Sequence, residues 1–255
     1  MKLLDTHSHI YLPEFAEDRQ SMLERAGKEG VDKILLPAID SATHTQMLAL
    51  EKEHPSRCFS MMGLHPCSVK ENYKEELKIA RDYFEKRTFK AVGETGLDFY
   101  WDKTFTEQQY EAFNLQIEWA LQYDIPVVIH SRNSTDECIE VIRDHQKGKL
   151  KGVFHCFSGN EKQAQQIIEL GFYLGIGGVV TFKNSGLDKV MENTGLAWVV
   201  LETDAPYLAP VPFRGKRNEP SYLPYVAGKL AAIKGVSREV IAGTTTANAQ
   251  KLFGF

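Results

Sequence analysis

A chain of 255 residues with net charge −4, 43% hydrophobic and 25% charged residues has the make-up of an ordinary globular protein, long enough to bury a large core. The acidic balance excludes a uniformly basic coat that holds polyanions non-specifically, but not a cleft that meets phosphate through cations and a few local Arg and Lys side chains. Cys58, Cys67, Cys138 and Cys156 form no Cys-x-x-Cys pair, and there is neither a signal-like leader nor a membrane-length apolar stretch, so a reduced, cytoplasmic, membrane-free protein is expected.

In chain order, short apolar runs alternate with amphipathic charged stretches. Lys2–Ser8 predicts a strand, and Glu17–Glu29 a helix that stops at Gly30. Lys33–Pro37 and Cys58–Leu64 predict strands on either side of a helix at Ala42–Glu53. A helix at Lys74–Lys86 leads to a strand at Lys90–Glu94, and Thr106-Glu107-Gln108-Gln109 reads as a capping box opening a long helix to Tyr123. Strands at Pro126–His130, Lys151–His155 and Phe172–Ile176 are separated by helices at Thr135–His145 and Glu161–Leu170, the latter halted by Gly171. Phe182–Asn193 predicts a helix and Ala197–Thr203 the last strand. Leu223–Lys234, stopped by Gly235, then Ser237–Gly243 and Thr245–Phe253, predict the closing helices. This alternation implies parallel strands joined by right-handed crossovers. Eight strands predict one α/β domain over 1–255, a (β/α)₈ TIM-type barrel, a class that runs ~250 residues; a doubly wound open sheet is the alternative.

The residues that close these strands favour the barrel. The first run ends in Asp5-Thr6-His7-Ser8-His9, and on a strand the i, i+2 spacing aims both imidazoles to one side. The fourth, fifth, sixth and eighth runs end at Glu94, His130, His155 and Asp204. In a barrel these ends meet on one face, where barrel enzymes place their active sites. Any one such residue is ordinarily a core histidine or an acidic helix cap. Together, buried His and carboxylate groups without partners would be costly, and shared cations remove that cost. Four imidazoles and two carboxylates exceed one open site, so two ions are expected: His7, His9 and Asp204 for one, His130 and His155 for the other, Glu94 bridging.

Around that pattern the chain resembles the TatD family of metal-dependent deoxyribonucleases, within the amidohydrolase-like barrels. The carriers are Asp5-Thr6-His7-Ser8-His9, Gly63-Leu64-His65-Pro66, Gly93-Glu94-Thr95-Gly96-Leu97-Asp98, Ile129-His130-Ser131-Arg132, His155-Cys156-Phe157-Ser158-Gly159, Leu201-Glu202-Thr203-Asp204-Ala205-Pro206-Tyr207-Leu208 and Arg214-Gly215-Lys216-Arg217-Asn218-Glu219-Pro220. The resemblance implies the same six metal ligands and hydrolysis of DNA phosphodiesters, as a 3′-to-5′ exonuclease. Zinc, manganese, magnesium, cobalt and nickel all suit such ligands. The expected catalytic groups are Asp204, taking the proton of the attacking water, and Glu94.

The expected substrate contacts surround the metals. His65 either donates to phosphate or is structural before Pro66. Arg132 shares parity with His130 and either meets substrate or pairs with a carboxylate, and Glu202 orients a ligand or the substrate. Asp98 either supports its loop or contacts substrate, and Arg214, Arg217 and Asn218 form a basic loop that is either solvated or suited, by its position, to a phosphate backbone. Among Phe99, Tyr100, Trp101 and Tyr207, a base stack or loop anchoring are the two readings. Two rival functions remain: hydrolysis of an amide or ester such as an aminoacyl-tRNA ester, and a non-catalytic scaffold that binds metal or nucleic acid.

Overall fold

Eight parallel strands alternate with helices in the computed structural model, which describes residues 1–255. The strands are β1 (Leu3–Asp5), β2 (Val31–Leu36), β3 (Cys58–Ser60), β4 (Val92–Asp98), β5 (Val127–Arg132), β6 (Gly152–Phe154), β7 (Tyr173–Ile176) and β8 (Val199–Leu201). The helices are α1 (Arg19–Lys28), α2 (Ser41–Glu53), α3 (Tyr73–Phe84), α4 (Thr106–Tyr123), α5 (Thr135–His145), α6 (Glu161–Glu169), α7 (Leu187–Asn193), α8 (Leu223–Lys234) and α9 (Arg238–Phe253). Pairing runs β1-β2-β3 and β4-β5-β6-β7-β8, all parallel. Single parallel bridges, Met62 to Val92 and Ser8 to Ala205, join these two sheets at both seams. The result is a TIM-type barrel with two weakly paired seams, one of them beside the residues that follow β1 and β8.

Alternation along each strand sorts side chains between the barrel interior and the helix-facing layer. The interior layer takes one residue from or beside every strand: Leu4, Leu35, Met61, Ala91, Val128, Val153, Tyr173 and Val200. Ala249, Leu252 and Phe253 of α9 join this cluster, so the last helix plugs the end of the barrel opposite the strand carboxyl ends. Neighbouring residues such as Leu3, Ile34 and Leu36 belong instead to the larger core between strands and helices.

Four expectations are corrected. Thr106 opens α4 as its first helical residue rather than capping it, and its hydroxyl donates to Lys103 O at 2.8 Å. Gln109 is free of any box and accepts from the Asp98 N–H at 2.9 Å. On the same face, Gln116 accepts from Leu64 N (2.8 Å) and donates to the Thr95 hydroxyl (2.7 Å), so α4 grips β4 through two buried amides. The two closing helices are one, α9, which runs unbroken through Gly243, and within it Thr245 returns its hydroxyl to Ile241 O. The expected helix at Phe182–Asn193 begins only at Leu187, after a 3₁₀ turn over Gly178–Thr181. Finally, β4 and β5 run past Glu94 and His130 to Asp98 and Arg132, which extends the platform under the site. No helix is long and apolar enough to cross a membrane, and all four cysteines are free.

Candidate metal centre

Everything converges on Glu94, whose carboxylate is buried on β4. Its Oε2 lies 3.1 Å from His7 Nε2 and 3.5 Å from His9 Nε2. Its Oε1 lies 2.8 Å from His130 Nδ1, 2.7 Å from His155 Nε2 and 3.3 Å from His65 Nε2. Asp204 brings Oδ1 to 3.8 Å and 3.7 Å from the His7 and His9 Nε2 atoms. Three groups of three ligand-competent atoms lie within 4.8 Å of one another: His7, His155 and Asp204; His7, His9 and Glu94; His65, Glu94 and His130. All six expected ligands are therefore in one cluster, joined by His65.

For His9 and His130 the ring nitrogen that faces away from the cluster is held by the fold. His9 Nδ1 is 3.0 Å from the Tyr11 hydroxyl, which itself donates to Pro37 O at 2.6 Å. The hydroxyl must then accept from Nδ1–H, leaving a lone pair on His9 Nε2. That lone pair sits 3.3 Å from His7 Nε2, a contact that a cation between the rings satisfies. His7 Nδ1 is buried without a partner. His130 Nε2 is held by Asp98 Oδ2 at 2.8 Å. His155 Nδ1 faces Glu202 Oε1 at 3.6 Å, and Glu202 also accepts from the Cys156 N–H. A Cβ at Gly175 of β7 would lie 2.3 Å from Glu202 Oε2 and 3.0 Å from His155 Cα, so the glycine leaves room for this support. His65 differs, because Cys67 N–H donates to its Nδ1 at 3.0 Å and its neutral form presents Nε2–H to the cluster. It is a donor there, not a lone pair.

Backbone clasps bring the contributing segments together. Buried Asp5 accepts from Thr203 N (2.9 Å), the Thr203 hydroxyl (2.6 Å) and His7 N (3.3 Å), tying the end of β1 to the turn that carries Asp204. Asp204 adopts φ of 55°, an uncommon left-handed conformation for a non-glycine residue, so strand parity does not carry past Leu201 to it.

The electrostatics favour cations. Burial alone would raise Glu94, but the imidazoles of His155, His65 and His7 hold it well below the usual carboxylate range. Burial, reinforced by His155, drives the His7 imidazole toward its neutral form. Burial would lower His155 too, yet Glu94 and Glu202 hold a proton on it. Burial pushes Asp5 up to about 7 and Asp204 up to about 6. A buried set of imidazoles and carboxylates, with the His9 Nε2 lone pair turned inward against His7 Nε2, fits divalent cations of the zinc and manganese type.

The cluster forms the floor of a cleft of about 760 Å³. His65, Arg132, Trp101 and Tyr207 line it, and Arg132 is its one Lys or Arg. Three expected substrate contacts lie elsewhere, and of the two roles expected for Glu202 its position favours orienting a ligand. Glu202 is buried behind His155 and acts on that ring. Asn218 is buried, its amide donating to Thr203 O and Tyr207 O at 2.7 Å each, which pins the Asp204 loop. Arg217 is engaged with both Asp18 oxygens at 2.8 Å and with Glu14 O. Arg214 lies exposed over the Phe182 ring at 4.4 Å, outside the cleft. A short basic run gave no means of telling a phosphate grip from an arginine committed to a carboxylate that lies far away in sequence.

That carboxylate network is a staple. Arg25 holds Glu219 through two bonds of 2.8 and 2.6 Å and Asp18 through a third of 2.9 Å, so α1 is fastened to the loop after β8. Hydrogen bonds from Arg217 and Arg25 keep Asp18 well below its ordinary value. A carboxyl depressed on folding adds stability above its unfolded pKa of about 4 and loses it as pH falls through the lower folded value. Asp18→Asn should therefore lower the melting temperature relative to the unmodified chain at pH 7, and the gap should shrink between pH 4 and pH 2. A gap independent of pH in thermal melts would contradict the staple.

Comparison with known proteins agrees with this geometry. The family described as TatD related DNase matches residues 4–254. The metal-dependent hydrolase YabD of Bacillus subtilis is 36% identical over 252 residues, covering 98% of each chain. A protein of Erwinia tasmaniensis named 3′-5′ ssDNA/RNA exonuclease TatD is 31% identical, covering 98% of this chain and 99% of its own. The crystal structure of the TatD homologue YjjV from Escherichia coli K12 superposes with a TM-score of 0.93 at 32% identity, over 99% of this chain and 98% of that one. With the matches running nearly end to end and the donors gathered at the carboxyl ends of the strands, this chain belongs to the TatD family of metal-dependent hydrolases.

Proposed function

We propose that this chain is a two-metal phosphodiesterase that removes nucleotides from DNA in the 3′-to-5′ direction. The observation that carries the reading is the Glu94 carboxylate, which turns one oxygen to His7 and His9 and the other to His130 and His155. The name of the Erwinia relative supports the substrate class. In this reading His7, His9 and Asp204 hold one divalent ion, His130 and His155 hold the second, and Glu94 serves both. Ions bound there would supply Lewis acidity toward a water and charge neutralisation at the phosphoryl oxygens.

The remaining chemistry belongs to the chain. Asp204 lines the cleft and takes the proton of the attacking water. His65 donates from Nε2–H to a phosphoryl oxygen, and Arg132 supplies the nearby fixed positive charge. Glu202 and Asp98 keep His155 and His130 aimed inward.

The test is an end-labelled DNA oligonucleotide, with an aminoacyl ester and an amide assayed beside it on manganese- or zinc-loaded protein. The reading predicts stepwise shortening from the 3′ end, abolished by chelator and restored by metal. Hydrolysis of the ester or amide with the DNA left intact would support the rival hydrolase, and chelator-insensitive inertness toward all of them would support the scaffold.

A further inference from the structure

We propose that Trp101, with Tyr100 and Arg132, forms a stacking subsite for the nucleobase beside the scissile phosphodiester, because an exposed indole and a carboxylate-free guanidinium share the cleft rim on a loop anchored through Asp98 to His130. The inference rests on the nuclease reading and deepens it.

Trp101 is 68% exposed although it lines the cleft, and Tyr100 is 52% exposed. Large rings are ordinarily covered, and a pair left open at a functional rim marks a surface that meets something flat and apolar. The backbone of the loop is held by a carboxylate, and the Tyr100 ring packs edge-on to the indole, their centres 4.9 Å apart. Asp98 Oδ1 accepts from Tyr100 N at 2.9 Å and from Trp101 N at 3.0 Å, while Oδ2 holds His130 Nε2 at 2.8 Å. One carboxylate thus fixes both a proposed metal ligand and the segment that carries the indole. Lys70 secures the far side of the loop by pairing with Asp102 at 2.6 Å.

Arg132 completes the surface. Its guanidinium lies 3.8 Å from the centre of the Tyr100 ring and 5.2 Å from that of Trp101. Packing on the Tyr100 ring holds the guanidinium still without a carboxylate partner, so its N–H groups remain available to a phosphate. A base stacked on an aromatic ring beside an arginine-held phosphate is the arrangement sequence-tolerant nucleic-acid channels use. The subsite therefore recognises that a base is present rather than which base it is.

The test compares a DNA oligonucleotide with its twin carrying one abasic site next to the cleaved bond, using manganese-loaded protein. Unmodified protein should favour the intact strand by about tenfold or more in kcat/KM. Trp101→Ala should bring that ratio close to one, and Trp101→Phe should restore most of it, which a purely structural tryptophan would not do. A ratio unchanged in Trp101→Ala overturns the subsite. If the unmodified protein cleaves neither strand, the nuclease reading falls, and tryptophan fluorescence decides the subsite separately. Quenching by the intact strand but not by its abasic twin, absent in Trp101→Phe, supports it; equal quenching by both overturns it.

Discussion

Glu94→Ala is expected to reduce hydrolytic turnover by roughly 10³-fold, the order of the several kcal/mol that a bound metal ion contributes to charge stabilisation. Five histidine nitrogens lie within 3.5 Å of its two oxygens. Removing the carboxylate leaves those rings facing each other with no shared negative charge, so bound cation should fall from two per chain to one or none. Glu94→Gln keeps the volume and serves as the control for packing. Its amide nitrogen can meet a ring lone pair but cannot bridge two cations, so it should lose turnover nearly as fully. Metal analysis after gel filtration, alongside circular dichroism to confirm folding, checks both variants. Full metal content with full turnover in either would contradict the bridging role.

The second large effect concerns the fold. Phe253→Ala should destabilise the protein by about 3–5 kcal/mol, the range for removing a large buried ring. The ring is 3% exposed and, with Leu252 and Ala249, closes the barrel interior against Leu4, Val128 and Val200. The surrounding strands are hydrogen-bonded to one another and cannot collapse into the space. At this chain length the melting temperature should fall by roughly 10 °C, measured on metal-free protein so that ion binding does not mask the change. A shift of a degree or less would mean that α9 lies against the barrel without plugging it.

Much of the architecture was legible because the barrel writes a regular signal into sequence. Apolar runs such as Pro126–His130 and Phe172–Ile176 have only one stable use in alternation with amphipathic helices, and all eight predicted strands form. The convergence of His7, His9, Glu94, His130, His155 and Asp204 followed from the topology, since a barrel brings strand carboxyl ends to one rim. What stayed hidden depends on side chains meeting across long separations. Asp5 and Thr203, 198 residues apart, give no local sign of their clasp. Tyr11 likewise gives no local sign that its hydroxyl sets the tautomer of His9. Gln109 carries a capping-box spacing and Gln116 no motif at all, yet these two amides are the grips that hold β4. Asp98 did carry a signal: four residues after Glu94 on the same strand, it shares that residue's face, and this is the side from which it holds His130.

The basic run after β8 shows the opposite failure. Composition drew Arg214, Arg217 and Asn218 toward a substrate, whereas Arg217 and Asn218 hold the loop in place. Arg132, a lone cation with no cluster around it, is the one that reaches the cleft. A charge at this rim is defined less by how many neighbours share its sign than by whether the fold already provides it with a counter-charge.

Anomalous diffraction from crystals grown with manganese tests the metal centre most directly. Two peaks are predicted, one among His7, His9 and Asp204 and one between His130 and His155, with Glu94 contacting both. A single peak, or none with these side chains turned apart, would contradict the account.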